Sequence, residues 1–486
     1  MFVADNPMLK FVGTGQSYPP KREPDSRRTD FQEIAERYAV TGAEEQASRC
    51  SQCGVPYCSV HCPLHNHIPD WLRLTAEGRL REAYQLSNMT STMPEICGRI
   101  CPQDRLCEGN CVIEFSGHGA VTIGSVEKFI TDTAWEKGWV EPLVPGPERG
   151  QSVGVIGAGP AGLAAAEYMR RYGYSVHVYD RHDRAGGLLT YGIPGFKLEK
   201  EVVMRRVQRL KDGGIVFHEG FEVGHDATLD ELRDRHDALL IATGVYKPRA
   251  IKAPGVGAEG VVESLDFLTA SNRKGFGDTV PAFENGSLNA SGKHVVVVGG
   301  GDTAMDCVRT AVRQGAKSVK CLYRRDRDNM PGSQREVANA EEEGVEFVWL
   351  SAPQSFEATG EGAGTVSAVR ASRMRLGTPD ASGRRAPEVD PGKDFTVDAD
   401  LVIKALGFDA EDLPTLFGSS DLGVTRWGTL RVDHSTLMTS LDGVFAAGDI
   451  VRGASLVVWA IRDGRDVAEH MHGWLKQKAK TGRKAA

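Results

Sequence analysis

Eight of the ten cysteines in this 486-residue chain lie in two short groups near the N-terminus. The first group is Cys50, Cys53, Cys58 and Cys62, and the second is Cys97, Cys101, Cys107 and Cys111. Four thiolates hold one iron–sulfur cluster, so eight provide for two, and such clusters transfer single electrons. The spacing therefore predicts a two-cluster electron-transfer module.

The proline that follows Cys62 bears on which thiolates share a cluster. In bacterial two-cluster ferredoxins, the cysteine before a proline ligates the other cluster. By the same logic, Cys62 would join the second group and Cys111 would complete the first. The sequence leaves this arrangement open beside the one in which each group holds its own cluster.

Zinc is the main alternative to iron–sulfur clusters, because His61, His65 and His67 lie close to the first group. A zinc site usually combines two short Cys-x2-Cys pairs, or one such pair with two histidines. Only Cys50 and Cys53 have that spacing here. The pattern therefore favours iron–sulfur clusters, and we expect the three histidines to lie near the sites without acting as ligands.

Composition restricts the class of protein. The chain has 41% apolar residues, 25% charged residues and a formal net charge of −7, which gives no electrostatic footprint for nucleic acid. No apolar run reaches the roughly 18 residues of a membrane span. The first residues show no basic region followed by an apolar core, so a cytoplasmic protein is expected, in which clustered cysteines bind metal more often than they form disulfides.

A first dinucleotide site is predicted where the apolar run 151–156 meets Gly157, Gly159 and Gly162. This fingerprint follows a strand and opens a helix, as pyrophosphate binding requires. The next predicted strand ends at Asp180, at a suitable distance to accept a hydrogen bond from a ribose hydroxyl. Further turns extend the site, and its other predicted residues are Gly187, Leu188, Gly244, Gly448 and Asp449.

A second dinucleotide site is predicted after the strand at 293–298, with a Gly-x-Gly-x-x-Ala fingerprint. Its second strand ends in two arginines rather than in an acid. Guanidinium groups pair with a 2′-phosphate, which an acid would repel, so this site is predicted to bind NADPH and the first site FAD. A solvated basic turn is the alternative for the arginines. The predicted NADPH residues are Gly299, Gly301, Asp302, Thr303, Ala304, Arg324 and Arg325.

The elements around these motifs predict an α/β protein with two nested Rossmann-like domains, preceded by a mainly helical iron–sulfur domain. Apolar residues at helical spacing over 71–86 provide the scaffold of that first domain, and a proline-rich linker follows it. A strand ending in Gly-Asp near the C-terminus places the NADPH domain inside the FAD domain. The predicted domains are 1–145 for iron–sulfur, 146–249 and 401–486 for FAD, and 250–400 for NADPH.

Together these motifs resemble the small (β) subunits of NADPH-dependent glutamate synthases over essentially the whole chain. The segments that carry the resemblance are 98–111, Tyr191-Gly-Ile-Pro194, Asn329-Met-Pro331 after the arginine pair, Ala447-Gly448-Asp449, and Pro20-Lys-Arg-Glu-Pro24.

The resemblance implies FAD and NADPH at the two predicted sites and two [4Fe–4S] clusters on the eight cysteines. In a related family, dihydropyrimidine dehydrogenase, a glutamine replaces one cysteine ligand. Because Cys97 supplies a fourth thiolate here, we expect eight cysteine ligands, with Glu127 as a distant alternative. Hydride transfer by cofactor stacking needs no catalytic side chain. The electron acceptor would be a large FMN-containing subunit that makes L-glutamate from L-glutamine and 2-oxoglutarate.

Two other functions share parts of this pattern. An NADPH:ferredoxin-type or pyrimidine-reducing oxidoreductase subunit would carry every motif described above, so the partner alone separates it from a glutamate synthase subunit. A non-catalytic, zinc-stabilised assembly protein would carry the cysteines only. A disulfide reductase is not expected, because Cys307 and Cys321 both lie in the predicted NADPH domain, where Cys307 fits a packed thiol.

Overall fold

The cysteine domain, residues 7–136, is built from short helices. The computed structural model of the protein describes residues 7–379 and 385–484. In the cysteine domain, single 3-10 turns at Pro7–Leu9 and Gln103–Arg105 accompany α1 (Lys10–Gly13), α2 (Pro24–Arg27), α3 (Val40–Ser48), α4 (Tyr57–Val60), α5 (Ile68–Ala76), α6 (Leu80–Thr90), α7 (Pro94–Ile100), α8 (Val112–Phe115) and α9 (Ile123–Glu136).

The helical pattern over 71–86 forms two helices, α5 and α6, rather than one. Gly78 separates them with a φ of +73°, a left-handed conformation that a side chain rarely adopts. Trp71 is fully buried between the helices, and its indole Nε1 donates a hydrogen bond to Asn66 Oδ1 over 3.2 Å. The pair fixes the loop between Cys62 and α5.

The first dinucleotide domain is split along the chain. Its elements before the insertion are β1 (Ser152–Ile156), α10 (Pro160–Arg171), β2 (Ser175–Asp180), α11 (Leu188–Tyr191), α12 (Lys200–Asp212), β3 (Val216–Glu219), α13 (Leu229–Arg235), β4 (Ala238–Ile241) and β5 (Lys247–Pro248).

The second dinucleotide domain follows, with a three-stranded antiparallel sheet near its end. Its elements are β6 (Val261–Glu263), α14 (Ser264–Gly275), α15 (Pro281–Glu284), β7 (His294–Val298), α16 (Asp302–Arg313), β8 (Ser318–Tyr323), α17 (Gln334–Glu342), β9 (Glu346–Trp349), β10 (Ser351–Thr359), β11 (Thr365–Pro379), β12 (Arg385–Asp398) and β13 (Leu401–Lys404). The chain then returns through β14 (Phe408–Asp409), α18 (Leu413–Leu416), β15 (Val444–Ala446), α19 (Asp449–Arg452) and α20 (Val457–Lys484).

Two parallel five-stranded sheets form the cores of these domains. The first has the order β15-β4-β1-β2-β3 and the second β6-β13-β7-β8-β9. Strand β15 pairs with β4 although about 200 residues separate them, so the second domain is inserted into the first, as predicted. Parallel strands place their carboxyl ends at one edge of the sheet, where dinucleotide-binding loops lie.

The second domain extends slightly beyond its predicted end at residue 400. Strand β13 pairs with β7 in parallel register, with Leu401 opposite Val295, and therefore belongs to the second sheet. The prediction that placed residue 401 in the first dinucleotide domain is wrong by this one short strand. The crossing between the domains lies at the two-stranded ribbon of β5 and β14, where Phe408 pairs with Pro248.

The cysteine domain packs against both dinucleotide domains. Arg206 on α12 forms a buried ion pair with Glu95 on α7, with distances of 2.7 and 2.8 Å. The loop at 103–108 reaches the second dinucleotide domain, where Arg105 Nη1 donates to Pro331 O over 2.6 Å. Within the described residues, no helix combines the length and apolar character required to cross a membrane.

Candidate functional site

The glycine fingerprint after β1 has the geometry of a dinucleotide cradle. Gly157 has a φ of +106°, and a Cβ there would lie 2.4 Å from Ala242 O. A Cβ on Gly162 would lie 1.9 Å from Gly157 O, so helix and strand pack too closely for any side chain. Gly159 has no atom within 4 Å of its Cβ position, which leaves its backbone open to a ligand.

The other predicted residues of the first site surround the same fingerprint. Asp180, at the end of β2, accepts hydrogen bonds from the amides of Ala158 (2.7 Å) and His182 (2.8 Å), which fix its carboxylate beside the cradle. A Cβ on Gly187 would lie 2.9 Å from Gly159 Cα. Gly448 has a φ of +78° and opens the short helix α19.

A cavity of about 330 Å³ lies beside this site, and residues of the cysteine domain and of both dinucleotide domains line it. Asp449 lies in its wall, and burial raises the pKa of its carboxyl to about 6. From the predicted FAD site, the cavity is lined by Gly157, Gly159, Asp180, Leu188, Gly244 and Asp449.

The second fingerprint opens into the same cavity. Gly299 has a φ of +153°, and a Cβ there would lie 2.2 Å from Ala405 O, whereas Gly301 has open space around its Cβ position. Helix α16 begins directly after this turn, and its first two residues, Asp302 and Thr303, line the cavity. The two dinucleotide sites therefore face each other across one space.

The predicted arginines lie outside that cavity, beyond the end of β8. Arg324 is exposed and Arg325 half-buried. Arg325 Nε is buried without a hydrogen-bond partner among the described residues. Within that same part of the chain, neither guanidinium is paired with a carboxylate. Two cations without counter-charges at the end of the second strand suit the 2′-phosphate of NADPH.

The eight cysteines line two cavities, and each cavity draws on both sequence groups. The first cysteine cavity is lined by Cys50, Cys53, Cys58 and Cys111. The second cysteine cavity is lined by Cys62, Cys97, Cys101 and Cys107. The cavity linings thus exchange Cys62 and Cys111 between the two sequence groups, which is one of the two arrangements that the sequence left open.

The donor set around these cavities fits iron–sulfur clusters. His61, His65 and His67 line neither cavity. Among the described residues, no three His, Cys, Asp or Glu side chains are placed to bind a single metal ion. Burial raises the pKa of Cys50 and of Cys58 to about 12, and that of Cys62 to about 11. Thiolates at these positions therefore require the positive charge that bound iron provides.

Glu127, the distant alternative to a cysteine ligand, also lines the second cysteine cavity. Its carboxyl accepts hydrogen bonds from Ser87 Oγ (3.2 Å) and Asn66 Nδ2 (3.4 Å), and burial raises its pKa to about 8. A hydrogen bond between Cys97 and Cys101 is the largest influence that raises the pKa of Cys101.

The second cysteine cavity adjoins the dinucleotide cavity. Cys101 lines both, and α20 contributes Val458 to one and Val457 to the other. The first cysteine cavity lies farther out, because Tyr57 and Val112 in its wall are exposed. The sites thus follow one another from the dinucleotide cavity to the surface.

Several lining residues belong to no sequence motif. Arg99 and Asp104 come from the cysteine domain, and the two dinucleotide domains contribute Lys197, Asp306 and Glu336. Tyr246 was also missed, although its ring lies 4.8 Å from the Arg181 guanidinium near the predicted ribose site. No local signal marks these side chains, because only the tertiary packing of three domains brings them together.

Comparisons with known proteins support the division of the chain into a cysteine domain followed by dinucleotide-binding domains. Residues 27–139 match the family model "Dihydropyrimidine dehydrogenase domain II, 4Fe-4S cluster", and residues 151–464 match "Pyridine nucleotide-disulphide oxidoreductase". The chain is 68% identical over 477 residues to the glutamate synthase [NADPH] small chain of Azospirillum brasilense, covering 98% of each protein. The chain belongs to the glutamate synthase small-chain family. It is therefore an NADPH-driven electron-input subunit with a 4Fe-4S domain and an FAD- and NADPH-binding oxidoreductase fold.

Two further comparisons concern other proteins with similar sequence or fold. The chain is 45% identical to the putative oxidoreductase AegA of Escherichia coli, covering 97% of this chain and 72% of that protein. The solved structure of Mycobacterium tuberculosis FprA in complex with NADPH matches 69% of this chain and 86% of that one, with a TM-score of 0.53 and 20% identity. At that identity, the match shows the fold alone.

Proposed function

We propose that the chain oxidises NADPH at FAD and passes electrons through two [4Fe–4S] clusters to a large FMN-containing subunit, which makes L-glutamate from L-glutamine and 2-oxoglutarate. The observation that carries this proposal is the adjacency of the sites. Residues of both predicted dinucleotide sites line one cavity, and Cys101 lies in the wall of both that cavity and the second cysteine cavity. When bound, FAD would supply the change from hydride to single-electron transfer.

The residues of this chain would bind and orient the cofactors. The first fingerprint, Asp180 and Asp449 would hold FAD, with α10 directing its N-terminus at the pyrophosphate. The second fingerprint, Asp302 and Thr303 would hold NADPH, with its 2′-phosphate between Arg324 and Arg325. The walls of the shared cavity would hold the two bound nucleotides close enough for hydride transfer. We expect these steps in the cytoplasm.

For the clusters, we propose the ligand sets that line the two cavities, with eight cysteines in total. Glu127 is the second candidate for one position, because its carboxyl lines the same cavity as Cys97. Iron content and electron paramagnetic resonance of C97S and E127Q distinguish them. Under the eight-cysteine proposal, E127Q keeps both clusters and about eight irons, while C97S loses one four-iron signal. The opposite result would make Glu127 the ligand, and C307S is the buried-thiol control.

The large subunit would dock beside the first cysteine cavity. Tyr57 and Val112 line that cavity and are 47% and 38% exposed. Three more apolar side chains, each within two residues of a lining residue along the chain, are 54–70% exposed, namely Val55, Val60 and Phe115. A cluster of exposed apolar side chains is typical of an interaction surface. Contact at this surface would place the partner nearest to the outermost cluster.

The test of this function is reconstitution with the large subunit of the same host under anaerobic conditions. The expected result is a stable complex in which NADPH drives glutamate formation. The double variant Y57S/F115S should weaken the complex while the isolated chain still oxidises NADPH with an artificial acceptor. W427S is the matched control, because Trp427 is 70% exposed elsewhere on the molecule. Recovery of the chain with a ferredoxin instead would overturn the proposed role.

A second candidate function is an NADPH:ferredoxin-type or pyrimidine-reducing oxidoreductase subunit. The similarity to AegA favours it, since that longer protein is a putative oxidoreductase. Anaerobic affinity purification from the native host separates the two functions by the identity of the protein that copurifies.

A further inference from the structure

A charged side chain crosses the boundary between the two dinucleotide domains at the wall of their shared cavity. Lys197, in the segment between α11 and α12, belongs to the first domain. Its Nζ lies 2.9 Å from Asp306 Oδ1 on α16 and 3.7 Å from Glu336 Oε2 on α17, both in the second domain. All three residues line the cavity.

Phe196, the residue before Lys197, also packs against α16. Phe196 is almost fully buried, and its ring packs against the guanidinium carbons of Arg309 and Arg313 on α16, at 4.5 and 3.9 Å. Arg309 is itself paired with Glu336 over 2.7 Å. Two consecutive residues of the first domain therefore hold one helix of the second domain.

Helix α16 begins within the second fingerprint, at Asp302 directly after Gly301. Asp302 and Asp306 are four residues apart, so they share the face that lines the cavity. A contact that fixes Asp306 thereby fixes Asp302 and Thr303 one turn earlier. Any shift of α16 relative to the first domain would move the predicted NADPH site relative to the predicted FAD site.

The contact is an ion pair with little access to water. The side chains of Lys197 and Asp306 are only 15% and 9% exposed. Burial opposes the charge on Lys197, but Asp306 and Glu336 outweigh it and raise the pKa of the ammonium group. Buried ion pairs contribute little net stability, and their best-attested use is to specify one arrangement of packed elements.

We propose that Lys197 is a positioning residue for hydride transfer, which holds the N-terminal turn of α16 and its bound NADPH against the FAD site. This inference rests on the proposed assignment of the two dinucleotide sites. In the step concerned, a hydride leaves NADPH and reaches FAD, so that NADPH becomes NADP⁺ and FAD is reduced. Lys197 keeps its proton throughout and acts through Asp306 and Glu336.

The test uses the full chain loaded with FAD and clusters, with flavin reduction by NADPH followed in a stopped-flow spectrophotometer. In K197M, the limiting rate at saturating NADPH should fall roughly 10- to 100-fold, because small misplacements of reacting groups have effects of this size. The dissociation constant of NADP⁺ should change by less than about threefold, because the phosphate contacts remain. K197R, which keeps the charge, should recover most of the rate.

Lys21 provides a matched control. It also joins the second domain through an ion pair, to Glu342 over 3.0 Å, but on the surface and away from the cavity. K21M should leave the limiting rate unchanged. Hydrogen exchange supplies a readout independent of activity, since the first turn of α16 should exchange faster in K197M than in the wild type or K21M.

Each outcome bears on a distinct claim. A wild-type flavin that NADPH fails to reduce would overturn the proposed function and this inference with it. A wild type that is reduced, together with K197M reduced at the same rate, would overturn the inference alone. The inference would also be wrong if K197R were as slow as K197M, because packing rather than charge would then explain the loss. If K197M does not fold, D306N tests the same contact from the other side.

Discussion

The two dinucleotide domains share one architecture and differ where they meet their ligands. Each has a five-stranded parallel sheet, a glycine turn and a helix that begins directly after it. In the first domain, the third position of the fingerprint is Gly162, where a Cβ would lie 1.9 Å from a carbonyl oxygen. In the second domain the same position is Ala304, which is fully buried and fits.

A second difference lies at the end of the second strand. Asp180 is held by two backbone amides in the first domain. Arg324 and Arg325 have no carboxylate partners among the described residues of the second. Under the proposed assignment, one domain would offer a fixed acceptor to a ribose hydroxyl, and the other would offer positive charge to a phosphate. Different strand ends on a shared fold would then let one chain separate two similar cofactors.

The largest expected effect comes from exchanging glycine and alanine at the third position of each fingerprint. Gly162→Ala should prevent FAD binding and destabilise the first domain, because the new Cβ meets Gly157 O and neither backbone segment can move freely. Flavin absorbance and the thermal unfolding midpoint measure both effects. The reciprocal change, Ala304→Gly, should keep the flavin and cost about 1 kcal/mol of stability. Equal flavin contents in the two variants would contradict the packing difference.

A smaller effect is expected from the strand ends. Replacing Arg324 and Arg325 with alanine should raise the KM for NADPH roughly 10- to 100-fold, since hydrogen bonds to charged groups contribute about 1.5–3 kcal/mol each. The KM for NADH should hardly change, because NADH lacks the 2′-phosphate. Steady-state kinetics with both nucleotides provides the measurement, and R327A is the control, because Arg327 is paired with Glu341 over 2.9 Å.

If both nucleotides were affected equally, the arginines would act on something other than the 2′-phosphate. Reduction of the flavin by dithionite should be the same in R324A/R325A, in R327A and in the wild type. That reaction bypasses the second domain, so any loss there would indicate damage to the first.

The strand ends also show why parts of the site could be predicted from the sequence. A strand, a glycine turn and a helix are local, so both fingerprints and Asp180 could be located in advance. The exchange of Cys62 and Cys111 was foreseen only as an alternative, because pairing depends on how α5, α7 and α9 pack. The domain boundary at residue 400 came one short strand too early, since the apolar residues of Leu401–Lys404 would suit either sheet.

Lys197 and Asp306 could not be predicted, for a related reason. They are more than 100 residues apart, and each is an ordinary charged residue within its own segment. Only the packing of one domain on the other makes them neighbours. Chemistry within a loop is therefore readable from the chain, whereas chemistry between domains requires the structure.

The smallest expected effect is a difference between the two dinucleotide domains in how their stability depends on pH. His236, beside the first sheet, is hydrogen bonded to Ser152 Oγ (2.6 Å) and the Tyr179 hydroxyl (2.8 Å). Burial, helped by the nearby His177 and His218, lowers the pKa of His236 to about 4. A histidine whose pKa is lowered by folding stabilises the protein above its unfolded pKa of about 6.5, and that stability is lost as the pH falls toward about 4.

When the pH falls from 7 to 5.5, protonation of His236 in the unfolded chain should lower the free energy of unfolding by about 1 kcal/mol. Hydrogen exchange at the two pH values, corrected for the intrinsic rates, should therefore show faster opening of β1 and β2 and little change in β7 and β8. His236→Gln removes the largest part of this titration and should reduce the response even if it lowers stability at pH 7, while His177 and His218, whose pKa values burial also lowers, leave a smaller response. A response of equal size in both sheets would mean that acid acts on the whole molecule. A response confined to the first sheet would show that the two domains, alike in fold, differ in stability as well as in ligand.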